Sequence, residues 1–153
     1  MAQIAKMHVQ AEVKSSAEKF YDIYRNKLHL MPKISPREFK EGKVIQGDWR
    51  SVGSVRVWSY VASGNVETVK ETIEAVDDES KTITVSIVEG DVKKYYKSFK
   101  STINVLPSAS GQGSLVKWTL EFEKRNENIP DPTMYTDFLV NWSKSVDSYL
   151  LNA

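Results

Sequence analysis

The residues able to do acid–base or nucleophilic chemistry are few and scattered. The chain has two histidines, His8 and His29, and no cysteine. A metal centre or a catalytic triad built on imidazole and thiolate has almost nothing to start from. Glu71, Glu89, Asp91, Tyr95 and Lys97 bring acid, phenol and amine groups to the central stretch. No pair among them has a spacing that specifies general acid–base work, and these types are common on exposed strands. No catalytic residue or metal ligand is assigned, and no cofactor is expected. One loop is bracketed by glycine, Gly47-Asp48-Trp49-Arg50-Ser51-Val52-Gly53-Ser54. It is only superficially like a phosphate-binding loop. The spacing differs, Gly-Lys-Ser/Thr is missing, and a strand rather than a helix should follow, so no helix N-terminus would meet a phosphate. We read it as a structural turn in which Gly47 or Gly53 takes a positive φ, without nucleotide binding.

Arg56 is more informative. It alternates with Trp58 and Tyr60 on one face of a strand, with Val55, Val57 and Ser59 on the other. Both faces are partly apolar, so periodicity does not orient the strand. Facing inward, Arg56 needs a carboxylate, from the protein or from a ligand. Facing outward at the rim of a sheet, it needs only water. Trp58, Tyr60, Phe99, Trp118, Tyr135, Phe138 and Trp142 are the aromatic inventory of an interior. Core filling accounts for part of it, and aromatic walls with a few polar tips also suit a ring-bearing amphiphilic guest. A guest of about 20 heavy atoms, at ~0.3 kcal/mol per atom, would bind with a Kd of tens of micromolar. His8 lies on the polar face of its strand and reads as a solvent histidine; His29 has no assignable partner.

Composition narrows the classes. The net charge is +1 and the pI about 7.8. A nucleic-acid backbone needs a concentrated basic face, and the nearest thing to one, Asp91 to Lys97, reads as a solvated strand. No stretch approaches the ~18–20 apolar residues of a membrane span, and residues 1–13 lack an apolar core of signal-peptide length. The expectation is a reduced, cytoplasmic, soluble monomer.

The elements that must position these residues follow from periodicity. A length of 153 residues suits one domain, residues 1–153. Ile4 to Val13 alternates apolar and polar residues and predicts a half-buried strand. Ser15 followed three residues later by Glu18 predicts a capping box, then a helix carrying Phe20, Tyr21, Ile23 and Tyr24. Leu28 to Ile34 predicts a second short helix, interrupted by Pro32 and ended before Pro36. Strands are predicted at Phe39–Gln46, Ser54–Val61, Val66–Asp77, Thr82–Glu89, Tyr95–Leu106 and Leu115–Glu123, with turn residues between them. From about Asp131 to Leu151 the apolar spacing is three and four, without Gly or Pro after Pro132. The fold class is α+β: a seven-stranded antiparallel sheet, two short helices after the first strand, and one long C-terminal helix as its main cover. One helix cannot fill the inside of a strongly curved sheet of that width, so a cavity is physically reasonable.

In this order and at these spacings, several short blocks are specific together. They are Val13-Lys14-Ser15-Ser16-Ala17-Glu18-Lys19-Phe20, Gly47-Asp48-Trp49, Val52-Gly53-Ser54-Val55, Trp58-Ser59-Tyr60, Ile73-Glu74-Ala75-Val76-Asp77, Ile87-Val88-Glu89-Gly90-Asp91, Tyr95-Tyr96-Lys97-Ser98-Phe99, Gly113-Ser114-Leu115-Val116-Lys117-Trp118, Phe122-Glu123-Lys124 and Asp147-Ser148-Tyr149-Leu150. Over essentially its whole length the chain resembles the major latex protein and ripening-related branch of the Bet v 1 superfamily. The resemblance implies a helix-grip (START-like) fold around a hydrophobic cavity, with Gly47 to Gly53 as the family's glycine-rich loop. It implies an inward set of Met7, Val9, Ala11, Arg56, Trp58, Tyr60, Ile83, Val85, Ile87, Phe99, Trp118, Tyr135, Phe138, Leu139 and Trp142, which turns Arg56 inward. It implies carriage of a small hydrophobic or amphiphilic plant metabolite, in defence, stress or specialised metabolism; the near-neutral charge, not the resemblance, argues against a nucleic-acid partner. The alternative within the same superfamily is a cyclase or isomerase using the same cavity. A third is a protein-inhibiting receptor that buries its partner with the loops at Ser63-Gly64-Asn65 and Glu89-Gly90-Asp91.

Overall fold

The computed structural model of the chain describes residues 4–152. Strand β1 (Ala5–Val13) leads into helix α1 (Ala17–Asn26), a 3₁₀ turn at Leu28–Leu30 and the single-turn helix α2 (Met31–Ile34). Six strands follow, β2 (Phe39–Gln46), β3 (Val55–Ala62), β4 (Asn65–Asp77), β5 (Thr82–Gly90), β6 (Tyr96–Pro107) and β7 (Ser114–Lys124), and then helix α3 (Thr133–Leu151). The strands form one antiparallel sheet in the order β1-β7-β6-β5-β4-β3-β2. Register shifts interrupt the ladders in β2, in β4 at Lys70/Glu71 and Ile73/Ala75, and near Tyr96/Ser98. Such bulges bend a strand and sharpen its twist, which curves the sheet around the helix.

Helix α3, about 28 Å long at 1.5 Å per residue, buries a narrow stripe of Tyr135, Thr136, Leu139, Ser143, Val146 and Asp147. The three polar members of that stripe each have a task. Ser143 Oγ accepts from the Trp118 indole at 2.8 Å and donates to the Leu139 carbonyl at 2.9 Å. Thr136 Oγ1 donates back to the Thr133 carbonyl. Asp147 receives the Lys14 and Ser15 amides, each at 2.9 Å, and the Ser15 hydroxyl at 2.5 Å. The buried Ser114 hydroxyl completes this corner by donating to the Ser15 carbonyl at 2.7 Å. Ser15 is therefore not the helix cap. Ser16 is, its hydroxyl accepting from the Lys19 amide at 3.3 Å, and the capping box expected from Ser15 and Glu18 does not form.

Two further expectations change. Pro32 sits in the first turn of α2 and starts that helix instead of interrupting it, since its missing N–H falls where no partner is needed. Asp91–Lys94 wind into a 3₁₀ turn that buries Val92, so the Asp91–Lys97 segment is half turn and half strand.

The glycine-rich loop is held from inside. Asp48 Oδ1 accepts the Arg50 and Ser51 amides at 2.8 and 2.6 Å, bonds that hold the carboxyl pKa at about 2. Two of the loop's amides are thus taken by its own carboxylate, and the loop runs into β3, not a helix. Gly47 and Gly53 both have left-handed φ, +81° and +89°. A methyl at Gly47 would strike the side chain of Ser54, whereas one at Gly53 meets open space. Gly53→Ala should cost about 1–2 kcal/mol of conformational strain, or roughly 3–6 °C in Tm. Gly47→Ala should cost more than that, and equal losses in a thermal denaturation series would contradict the clash.

Candidate functional site

Between α3 and the inner faces of the central strands lies an apolar cavity of about 120 Å³. Its position follows from where the helix lies. α3 comes closest to β1 and β7 and touches β3, so the middle of the curved sheet is left uncovered. The inward residues of β5, Ile83, Val85 and Ile87, are accordingly only half-buried although they face the core side.

The wall combines ten aromatic side chains with eleven aliphatic ones. Trp142 on α3 stacks on Trp118 of β7 at 5.4 Å, meets Tyr24 edge-on at 4.8 Å and lies tilted 4.7 Å from Phe39. Phe39 lies 5.0 Å from Trp58, and Phe138 lies 5.3 Å from Tyr60. Trp49 brings the glycine-rich loop over one side, 5.5 Å from Trp58 and 6.2 Å from His29, which thereby acquires a partner. Trp58 lies so close over Gly42 of β2 that a methyl there would overlap its ring, which explains a glycine inside that strand.

Besides three tyrosines, the polar residues of the wall are Arg25, Arg50, Arg56, Glu71 and Ser101. Arg56 is 3% exposed and forms an ion pair with Glu71, its cross-strand neighbour on β4. A second nitrogen of the guanidinium donates to the Trp49 carbonyl at 3.3 Å, and Nε has no partner. Thus Arg56 faces inward and its carboxylate comes from the protein. Glu71, grouped above with exposed strand acids, is buried and lines the cavity. Toward the β3–β4 turn, Tyr60 and Tyr135 both donate to Oε1 of Glu67 at 2.8 Å. Burial first, and the Glu67 carboxylate second, push both phenols far above their usual pKa, so they stay protonated donors. Tyr24 is likewise pushed up by burial. Among the described residues no lysine lines the cavity, and no group of three or more His, Asp or Glu side chains could hold a metal ion.

Arg56, Trp58, Tyr60, Ile83, Val85, Ile87, Phe99, Trp118, Tyr135, Phe138, Leu139 and Trp142 all stand on this wall. Met7, Val9 and Ala11 do not. β1 is the edge strand nearest α3, so these side chains pack into the core beside β7 and the helix rather than facing the void. The expected set lacked Tyr24, Leu28, Phe39, Trp49 and Val92, which come from the short helices, a strand start, a loop and a 3₁₀ turn, where no period-two alternation marks the inside. It also lacked Val69, Ile73, Val76, Ser101, Ile103 and Leu120, strand residues that alternation alone does not place against a void.

The family model for the pathogenesis-related protein Bet v 1 family matches residues 2–153. MLP-like protein 34 of Arabidopsis thaliana is 42% identical over 95% of this chain, and the chain spans just 46% of that relative's length. MLP-like protein 423 of the same plant is 44% identical over 95% of this chain and 93% of its own. Among solved structures, ginseng major latex-like protein 151 from Panax ginseng superposes with a TM-score of 0.90 at 32% identity, covering 95% of this chain and 97% of its own. The helix-grip architecture, the whole-length family match and these relatives agree: the chain belongs to the Bet v 1 family, in its major latex protein-like branch.

Proposed function

We propose that the protein binds and carries a small hydrophobic or amphiphilic molecule in the cavity beneath α3, acting as a cytoplasmic monomer in plant defence, stress or specialised metabolism. The observation that carries this reading is the cavity, walled by aromatic and aliphatic side chains and left open because one helix cannot cover the sheet. Its volume revises the guest. About 120 Å³ is of the order of the ~150 Å³ void that takes up benzene. It is well below the roughly 300–1,000 Å³ of pockets holding drug-sized ligands. The 20-atom guest expected from the aromatic inventory would have to displace side chains, whereas one ring enters without rearrangement. A guest of about eight heavy atoms, at roughly 0.5 kcal/mol per atom, would bind near the millimolar range.

The test is a titration with single-ring hydrocarbons followed by tryptophan emission, whose intensity or wavelength should change because Trp49, Trp58, Trp118 and Trp142 line the void. Affinity should change little between low and high salt, since apolar burial is not screened. Phe138→Ser should weaken binding at least fivefold, and the exposed His8→Ala should leave it unchanged. Saturation that is insensitive to Phe138, or no saturation at all, overturns the reading. A guest recovered chemically altered by mass spectrometry would replace carriage with cyclase or isomerase activity.

A further inference from the structure

We propose that the guest is a neutral single-ring aromatic molecule bearing a hydrogen-bond-accepting oxygen, which satisfies Arg56 Nε, the Tyr24 hydroxyl or both. The proposal rests on the binding reading above and adds the chemical class of the ligand.

Its basis is an accounting of buried polar atoms. Among the described residues, the buried side-chain nitrogens and oxygens without a hydrogen-bond partner are Arg56 Nε and Tyr24 Oη. Both belong to side chains on the wall of the same cavity, one from β3 and one from α1. Elsewhere the interior is satisfied with care: Ser35, Glu38, Ser114, Ser143 and Asp147 all have partners. Native proteins leave few such atoms unpaired, because each one loses water and gains nothing in return. The Ser143 hydroxyl neighbours the Tyr24 phenol but lies outside bonding geometry, and it is already engaged with Trp118 and Leu139. Both atoms are closed to a water-sized sphere, so a guest oxygen recovers that loss once the Arg56 or Tyr24 side chain turns toward it.

The charge balance sets the class. Of the three arginines on the wall, Arg56 is neutralised by Glu71 and Arg25 pairs with Asp78, while Arg50 is exposed to solvent, so a carboxylate buried beside Arg56 would carry an uncompensated charge into the apolar part of the void. A carbonyl or ether oxygen brings an acceptor without one. The volume of about 120 Å³ limits the guest to about one ring.

The experiment compares acetophenone with α-methylstyrene, which has nearly the same shape but a CH₂ in place of the carbonyl oxygen, and adds benzoate. Each is titrated into the wild type, Tyr24→Phe, and the double variant Arg56→Met/Glu71→Leu, which removes the buried pair together. The readout is the ratio of acetophenone to α-methylstyrene affinity. It should fall about tenfold, the worth of one buried hydrogen bond, in one variant or both. Benzoate should bind at least tenfold more weakly than acetophenone to the wild type. Tyr24→Phe should be no less stable than the wild type, because the hydroxyl it removes has no partner; a loss of stability overturns its part. A ratio unchanged within twofold across all three proteins overturns the proposal while α-methylstyrene binding leaves the cavity reading standing. No binding of either neutral probe overturns both. Benzoate as the tightest guest overturns the neutral class.

Discussion

Replacing Glu71 by alanine is expected to cost about 3–5 kcal/mol, the penalty for leaving a buried charge without its partner. For a chain of this size that is roughly 10–15 °C in Tm. The size of the effect follows from the surroundings. Arg56 is 3% exposed, and one of its guanidinium nitrogens already lacks a partner. Removing Glu71 leaves only the Trp49 carbonyl, a long contact at 3.3 Å, to compensate the charge. Glu71→Gln keeps the shape and an acceptor and should lose less. Arg56→Met/Glu71→Leu should lie close to the wild type, since apolar side chains of similar volume avoid the desolvation cost altogether. Urea denaturation of the four proteins measures this. A Glu71→Ala loss under 1 kcal/mol would mean that water reaches Arg56, as it does for surface pairs.

The second large effect is at Asp147. Asp147→Ala removes the acceptor for the Lys14 and Ser15 amides and the Ser15 hydroxyl, at the point where β1 turns into α1 and α3 lies across both. Hydrogen bonds to a charged group contribute about 1.5–3 kcal/mol each, and the three share one carboxylate, so about 3–5 kcal/mol is expected in total. Asp147→Asn keeps the acceptor oxygen and should recover about half. The loss should be local before it is global: amide exchange in β1 should accelerate more than in β3–β5. Uniform acceleration across the sheet would show that Asp147 does not act as a clamp.

Much of this architecture was legible in the residues. Alternation such as Val116, Trp118, Leu120 and Phe122 placed β7 and its inward face, and the strand ends agree to within a residue or so. The Arg56–Glu71 pair was also within reach. The turn at Ser63-Gly64, where both residues have positive φ, joins Ala62 to Asn65 with no slack. Counting back one for one sets Tyr60 opposite Glu67 and Arg56 opposite Glu71. The register of one hairpin thus predicts the cavity's buried ion pair and one of its tyrosine–carboxylate contacts. The size of the void was not legible. It depends on how far Trp142, Phe39 and Phe138 fill the space under α3, and that is set by rotamers and the helix's lateral position. Nor was the role of Asp147, because its partners lie more than 130 residues away and two of the three are backbone amides, which carry no sequence signal. Met7, Val9 and Ala11 show the opposite limit: alternation gives the face of a strand but not whether a helix or a void covers it.

The position of β1 has a consequence for how the chain reaches this state. Its partner is β7, and paired residues such as His8 and Thr119 are 111 positions apart. Strands β2 to β7 are joined in sequence order by short connections and can zip as neighbours. β1 has to wait, both for the search over that span and, on the ribosome, for about 5–20 s of further synthesis at ordinary elongation rates. Until it docks, β7 presents an open row of backbone donors and acceptors. The species most exposed to misassembly is therefore a six-stranded sheet edged by β2 and β7, and the arrival of the first strand moves the second open edge from β7 to β1, beside α3.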